Sequence, residues 1–327
     1  MAIKTLIEAV REGMHEEIQR DERVFILGQD IGRRGGVFLA TDGFIEDFGQ
    51  DRVIDTPLAE SSIAGIALGS AMNGLRPIAE IQFADFIWPT FNQLIGEASR
   101  ARYGTNGDIN VPLLIRTPYG GGVRGGLYHS QSIESFFSHS PGLTVVAPST
   151  PYDAKGLIKS SVRSDDPVVF LEHKRTYRLV RGEVPESEYT VPLGKAEVKM
   201  EGRHISLITY GLMVHLCAEA ARDLANDGIS VEVVDLRTLF PIDQETILES
   251  VKKTGKVIIV HEDTKTGGLG GEISAVISSE AFEYLDGPVT RLCGPDIPAM
   301  PFSPPLEQEF MLSTEKIIDA VQKLVDY

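Results

Sequence analysis

Asp55-Thr56-Pro57-Leu58-Ala59-Glu60-Ser61-Ser62-Ile63-Ala64-Gly65-Ile66-Ala67-Leu68-Gly69, carried on through Asn73-Gly74 into Arg76-Pro77-Ile78-Ala79-Glu80-Ile81-Gln82-Phe83, decides the fold class of this chain. Pro57 stops a preceding strand and suits the first turn of a helix. Ile63, Ala64, Ala67, Leu68, Ala71 and Met72 then recur at helical spacing, and Asn73-Gly74 suits a left-handed C-terminal cap. An apolar strand follows at once, so the stretch reads as a helix feeding a buried strand. Glu60 is the one charged residue of the helix and lies in its opening turn. There it is either solvated and favoured by the helix dipole, or desolvated with a raised pKa and a partner to match. Gly65 and Gly69 each cost about 1 kcal/mol of helix propensity relative to Ala, which predicts close backbone contact and a buried helix as compensation.

The same alternation extends in both directions. A helix is expected over 3–20 and a strand over 23–28, followed by a loop through Gly32, Gly35 and Gly36. Downstream, helices over 88–103, 132–138 and 152–163 alternate with strands over 111–116, 143–147 and 168–172. From 174 to 202 the period is lost in charged, proline-containing sequence, read as a linker with room for short hairpin segments. Strands over 204–210, 231–236 and 256–261 then alternate with helices over 213–226 and 243–253. A proline-rich extended stretch over 294–305 precedes a final helix over 314–324. This order predicts an α/β protein of two domains, each with a mostly parallel sheet flanked by helices and right-handed crossovers. The expected divisions are 1–180, a linker at 181–202, and 203–327.

Asp and Glu number 47 against 31 Lys and Arg, a formal charge of −16, which argues against nucleic acid and anionic membranes as partners. The acidity suits docking of a basic domain, and equally suits solubility alone. Cys217 and Cys293, with no second Cys or His at ligand spacing, read as core thiols in a reducing compartment, and no metal motif is present. The N-terminus reads as an amphipathic helix and not a signal peptide. No segment approaches the ~20 apolar residues that would span a bilayer, so a cytoplasmic location is expected.

Glycine is densest in Tyr119-Gly120-Gly121-Gly122-Val123-Arg124-Gly125-Gly126-Leu127-Tyr128-His129-Ser130-Gln131-Ser132. The loop lacks both Gly-x-Gly-x-x-Gly spacing and the lysine of a phosphate-binding loop. It is better suited to bringing His129 to the mouth of the sheet, where the following helix would lower the imidazole pKa; a structural hydrogen bond is the alternative. No Gly-x-Ser-x-Gly elbow marks a serine hydrolase.

Glu60 with Gly65-Ile66-Ala67-Leu68-Gly69 after it resembles the glutamate motif in the pyrimidine-binding domain of thiamine-diphosphate enzymes. Thr56-Pro57-Leu58-Ala59-Glu60, Ala79-Glu80-Ile81-Gln82-Phe83-Ala84-Asp85 and Leu127-Tyr128-His129-Ser130-Gln131-Ser132 resemble the β chain of the decarboxylating component of 2-oxo acid dehydrogenase complexes. The resemblance runs from about Thr5 to the C-terminus. Leu171 to Arg178 and Cys293 to Pro301 look more like the branched-chain enzyme than the pyruvate enzyme.

The resemblance implies a pyrimidine-binding domain followed by a transketolase-like C-terminal domain, and oxidative decarboxylation of branched-chain 2-oxo acids with reductive acylation of a lipoyl group. Glu60 would hydrogen-bond the pyrimidine ring and favour its imino form. Leu58 would offer backbone near the cofactor, and Gln82 and Phe86 would line the pyrimidine pocket. Phe86 departs from the tyrosine common in the family, which removes a phenol hydrogen bond while ring stacking can remain. His129 would act near the thiazolium as the acyl group leaves for the lipoyl arm. Backbone carbonyls of Val111, Leu113, Leu114, Ser161, Ser164 and Asp166 align with a potassium site of related chains. No Gly-Asp-Gly with an Asn some 30 residues on is present; Asn106-Gly107-Asp108 is the nearest approach. Magnesium and the diphosphate therefore fall to a separate α subunit, in a heterotetramer of two α and two β chains. The lipoyl and subunit-binding domains of the acyltransferase component would be further partners. The same role with pyruvate, or a non-catalytic assembly subunit, are the rival readings.

Overall fold

The computed structural model describes residues 1–327, which fall into two compact units: Met1–Tyr119 with Phe136–Leu193, and Gly120–Ser135 with Gly194–Tyr327. The chain opens with β1 (Ala2–Thr5), α1 (Leu6–Arg20), β2 (Val24–Gly28), α2 (Phe44–Phe48), β3 (Val53–Asp55), α3 (Glu60–Met72) and β4 (Arg76–Glu80). A π-helical segment, Asn92–Ala98, runs into α4 (Ser99–Gly104), and then come β5 (Leu114–Tyr119), α5 (Glu134–Ser138), β6 (Thr144–Val146) and α6 (Pro151–Arg163). β7 (Val168–His173), α7 (Thr176–Leu179) and β8 (Arg181–Val184) complete this half.

In the first unit six strands lie in the order β6-β7-β5-β4-β2-β3, every neighbouring pair parallel. Strands of such a sheet are covered on both faces, and all five positions of Val24–Gly28 and all six of Val168–His173 are buried. Thr5 caps α1 in a reciprocal capping box with Glu8, and Thr150 caps α6 with Pro151 behind it. These two helices cross closely at Gly13, where an added Cβ would stand 3.2 Å from Ile158 and from the Lys155 carbonyl. The core joins Leu6, Val10 and Met14 of α1 to Leu157 and Ile158 of α6 and to strand residues Ile26, Ile78 and Phe170. Lys155 and Lys159 are fully buried in the same layer; Glu16 accepts from both, at 2.7 and 2.8 Å, which offsets their desolvation.

The second unit contains β9 (Glu197–Met200), β10 (Ile205–Thr209), α8 (Leu212–Ala225), β11 (Val231–Asp235), β12 (Thr238–Phe240) and α9 (Gln244–Thr254). β13 (Val257–Thr264), α10 (Leu269–Glu280), β14 (Thr290–Gly294), α11 (Pro304–Phe310) and α12 (Thr314–Val325) follow. Its sheet has the order β14-β13-β10-β11-β9, parallel except for β9 at the edge. α8 and α12 cover one face through Cys217, Ala221, Ile317 and Val321. Two mostly parallel sheets flanked by helices match the fold class read from the alternation.

Several elements differ from the expected pattern. The first helix starts at Leu6, because Ala2–Thr5 pair antiparallel with Arg181–Val184, a partner far downstream that local periodicity cannot reveal. The linker forms no hairpin: β8 turns back to β1, while β9 joins β11 in the other sheet. The helix expected over 88–103 is divided into 3-10, π and α segments. The junction at Leu193/Gly194 lies inside the expected linker, but Gly120–Ser135 also groups with the C-terminal unit, an excursion with two further crossings that the single expected division does not contain.

Candidate active site

Glu60 is the first residue of α3, two positions after Leu58 and three after Pro57. Its side chain is half-buried, and no hydrogen bond or ion pair within the chain holds its carboxylate. A carboxylate in the first helical turn gains about 0.3–1 kcal/mol from the dipole, so the position needs no partner in order to be tolerated. The helix itself is not buried as expected. Ile63, Ala64, Ala67, Leu68 and Ala71 face inward, while Ser61, Ser62, Ile66 and Gly69 form an open face. A Cβ at Gly69 would meet nothing within 4 Å, and one at Gly65 only Gln93 at 3.8 Å. The propensity cost of the two glycines is thus not offset by contact inside this chain. Leu58, 70% exposed, adjoins this open face.

The other residues expected near the cofactor come from the same sheet edge. Gln29 and Asp30 follow β2, Thr56 to Glu60 follow β3, and Gln82 to Phe86 follow β4. All leave the carboxyl ends of parallel strands, where open α/β sheets bind ligands. Gln82 Nε2 donates to the Gln29 carbonyl and to Asp30 Oδ2, both at 3.2 Å, which fixes the side chain along the edge. Asp30 holds φ of 59°, an uncommon left-handed conformation for a residue with a Cβ. Phe86 is half-buried and meets Phe83 edge-on at 5.9 Å; Phe83 meets Phe38 at 5.6 Å, and Phe38 meets Tyr177 at 5.1 Å.

Beneath these rings lies a buried ion cluster that the sequence reading missed. Arg116 of β5 donates to both oxygens of Glu172, at 2.7 and 2.6 Å, and to Glu80 on its other side. The Tyr177 hydroxyl completes Glu172 at 2.7 Å. Burial pushes the Glu80 carboxyl above its usual range; Arg116 opposes that rise and the charge of Glu172 adds to it. The available signal was a charged residue inside or at the end of each of three apolar strands, because buried charges of opposite sign have to meet.

His129 lies in the second unit, half-buried, just after a short 3-10 turn over Gly126–Tyr128. Gly125 has to be glycine here, since an added Cβ would stand 2.5 Å from the His129 carbonyl. Gly126 has φ of 62°, and a Cβ on it would press on Phe302. The helix expected to follow His129 closely begins only at Glu134, more than one turn on.

The six carbonyls expected around potassium all belong to the first unit. Leu113 O accepts from Val168 N at 2.8 Å, Ser164 O from Arg76 at 2.9 Å, Val111 O from Leu113 N at 2.7 Å and Asp166 O from Ser164 Oγ at 2.9 Å. No group of three or more His, Cys, Asp or Glu side chains is placed to hold a metal ion. The thiols are not both isolated as their spacing suggested. Cys293 Sγ lies 3.2 Å from His261 Nε2, a contact made in space between β13 and β14; burial pushes the thiol up to about 11 and the imidazole down to about 4. Cys217 is fully buried, as read.

Residues 4–180 match the family model described as Transketolase, pyrimidine binding domain, and residues 194–317 match Transketolase, C-terminal domain. A solved structure described as a split gene transketolase, inactive β4 tetramer, superposes with a TM-score of 0.80 at 25% identity, covering 98% of each chain. The 2-oxoisovalerate dehydrogenase subunit beta of Bacillus subtilis (strain 168) is 56% identical over 327 residues, 100% of both chains. The chain belongs to the β-subunit family of 2-oxo acid dehydrogenases. Another β subunit of the family, that of the pyruvate dehydrogenase E1 component of the same organism, is 47% identical over the same length. In this β subunit, Leu58, Glu60, Gln82, Phe86 and His129 all fall within the segment matched by the pyrimidine-binding family.

Proposed function

We propose that this chain is the β half of a thiamine-diphosphate-dependent dehydrogenase that decarboxylates branched-chain 2-oxo acids and passes the acyl group to the lipoyl group of an acyltransferase component. The observation that carries the reading is Glu60: a half-buried carboxylate, unpartnered within the chain, at the carboxyl edge of a parallel sheet and beside an open helix face. The residues present fit the aminopyrimidine end of the cofactor, with an acceptor at Glu60, an amide at Gln82 and a ring face at Phe86. Bound there, thiamine diphosphate supplies the carbanion chemistry that no side chain offers. Glu60 holds the proton on the pyrimidine nitrogen, which requires that its carboxyl lose the water it meets in the free chain. Phe86 offers stacking without a hydroxyl. His129 gives a proton or hydrogen bond through its imidazole during acyl transfer.

Magnesium and the diphosphate are assigned to an α subunit that covers the open face of α3, two α and two β chains making a heterotetramer. The acidic C-terminal unit is assigned to docking a subunit-binding domain, with lipoyl domains visiting the site, all in the cytoplasm. A potassium ion at the carbonyls of Val111, Leu113, Leu114, Ser161, Ser164 and Asp166 would share oxygens that already accept hydrogen bonds. The higher identity to the 2-oxoisovalerate relative favours branched-chain substrates; the pyruvate relatives keep pyruvate as the second reading.

The test is reconstitution with an α chain, thiamine diphosphate and magnesium, comparing 3-methyl-2-oxobutanoate with pyruvate. Glu60→Gln is expected to lose about 10²–10⁴-fold in rate, the span of general acid–base catalysis, while costing the free chain no more than the dipole's contribution of about 1 kcal/mol. Full activity in that variant would remove Glu60 from the mechanism, and faster turnover of pyruvate would reverse the substrate assignment. His129→Ala should impair transfer to a lipoyl domain.

A further inference from the structure

The glycine-rich loop Gly120–Ser135 is tied near both ends and at its middle by buried carboxyl groups, and the partners in these ties belong to the second unit. Gly120 N donates to the Gln131 carbonyl at 2.9 Å and closes the base of the loop. Next to it, Gly121 N donates to Glu262 Oε1 at 2.6 Å, and Ser132 Oγ, from the other end, reaches the same oxygen at 3.4 Å. Ser135 Oγ donates to Asp263 Oδ2 at 2.5 Å, and the Tyr210 hydroxyl donates to Glu134 Oε1 at 2.7 Å. At the loop's middle, Arg124 N donates to Glu307 Oε1 of α11 at 2.9 Å. Glu134, Glu262, Asp263 and Glu307 are between 0% and 7% exposed, so the carboxyl side of each bond is withdrawn from water, where a hydrogen bond contributes more than on an open surface. The loop also sits on the segment after β14: an added Cβ at Gly121 would stand 2.3 Å from Met300 Cε.

Loops of this glycine content are mobile unless tied down, whereas a transfer residue has to be held within about 0.5 Å of its productive place. We propose that Glu262 and Glu307 are positioning residues, which fix the loop carrying His129 from two different elements and so set the efficiency of acyl transfer without touching the decarboxylation half of the site. Glu262 binds the loop where its two ends meet, and Glu307 stops it from swinging at Arg124. The proposal rests on the reading of His129 as the transfer residue.

Two readouts separate the proposal from that reading. Amide hydrogen exchange of residues 120–135 in the full chain reports on the loop alone. Rates in the complex with an α chain, measured with a lipoyl domain and separately with an artificial oxidant such as ferricyanide, report on transfer and on decarboxylation. Glu262→Ala is expected to raise exchange in the loop at least tenfold and to cut lipoyl transfer at least tenfold, leaving the ferricyanide rate within threefold. Glu262→Gln keeps the acceptor oxygen and should restore both to within threefold. Glu307→Ala should act in the same direction at the loop's middle, and it decides the matter if Glu262→Ala does not fold. Unchanged loop exchange in Glu307→Ala, or equal loss of lipoyl and ferricyanide rates in a folded variant, overturns the proposal. Full lipoyl transfer by His129→Ala overturns the role of His129, and the exchange result still decides what holds the loop.

Discussion

Replacing Arg116 by Met tests the buried ion cluster beneath the aromatic rings. Arg116 is 1% exposed, and its guanidinium is the only cation bonded to both Glu80 and Glu172. Met fills most of the volume but leaves two carboxyls facing each other out of water. Breaking a buried pair by removing one partner costs about 3–5 kcal/mol, and two carboxyls served by one cation place this case at the upper end. At about 1.4 kcal/mol per tenfold, that lowers the folded-to-unfolded ratio by roughly 10²–10⁴. For a unit of this size it moves the unfolding midpoint by about 6–20 °C, at about 2–4 °C per kcal/mol. The loss should also depend on pH. Burial raises the Glu80 carboxyl even with Arg116 present, and without the cation that opposes the rise it goes further. A group whose folded pKa is raised keeps its full stability contribution below its unfolded value, near 4.5 here, and loses it as pH climbs through the folded value. Calorimetry should therefore find a larger deficit at pH 8 than at pH 5, and adding Glu80→Gln and Glu172→Gln to Arg116→Met should recover at least half of it. A deficit below about 1 kcal/mol at pH 8, far under the usual cost of a broken buried pair, would refute the reasoning, as would equal deficits at the two pH values.

A Cβ at Gly69 meets no atom within 4 Å and points from the open face, and Gly69→Trp gains helix propensity, so the free chain should keep its stability while its association with an α chain, followed by size-exclusion chromatography, weakens at least tenfold. Undiminished association would show that the open face of α3 stays open. Glu134 gives a second pH test: burial and then the nearby Asp263 push its carboxyl up to about 8. Its stability contribution is complete below about pH 4.5 and fades as pH approaches 8; Glu134→Gln should flatten that part of the profile in thermal melts, and an unchanged slope would count against it.

Local chemistry made much of this legible. Pro57, the helical spacing from Ile63 to Met72 and Asn73-Gly74 place α3 and the residue at its head; Gly74 does adopt φ of 92°, with Leu75 N returning to the Ser70 carbonyl. The central strands of both sheets were visible as apolar runs for the same reason, whereas the partly buried edge strands Glu197–Met200 and Thr290–Gly294 were not. What escaped depends on partners distant in sequence. Ala2–Thr5 is too short and too polar to announce a strand, and it becomes one only by pairing with Arg181–Val184. Glu262 looks like any acid at the end of a strand until the glycine loop arrives to donate to it. The burial of α3 was misjudged for a related reason: small residues permit close approach, but nothing in one chain's sequence says whether the neighbour belongs to the same chain.

The assignment of Gly120–Ser135 to the C-terminal unit bears on how genes of this family can exchange parts. A crossover at Leu193/Gly194, the obvious seam, would join a glycine loop from one parent to Glu262, Met300 and Glu307 from another, and the hybrid would inherit a mismatched fastening around His129. Chimaeras that respect the fold need two breakpoints more, one on each side of the excursion, so that the loop travels with the carboxylates that hold it.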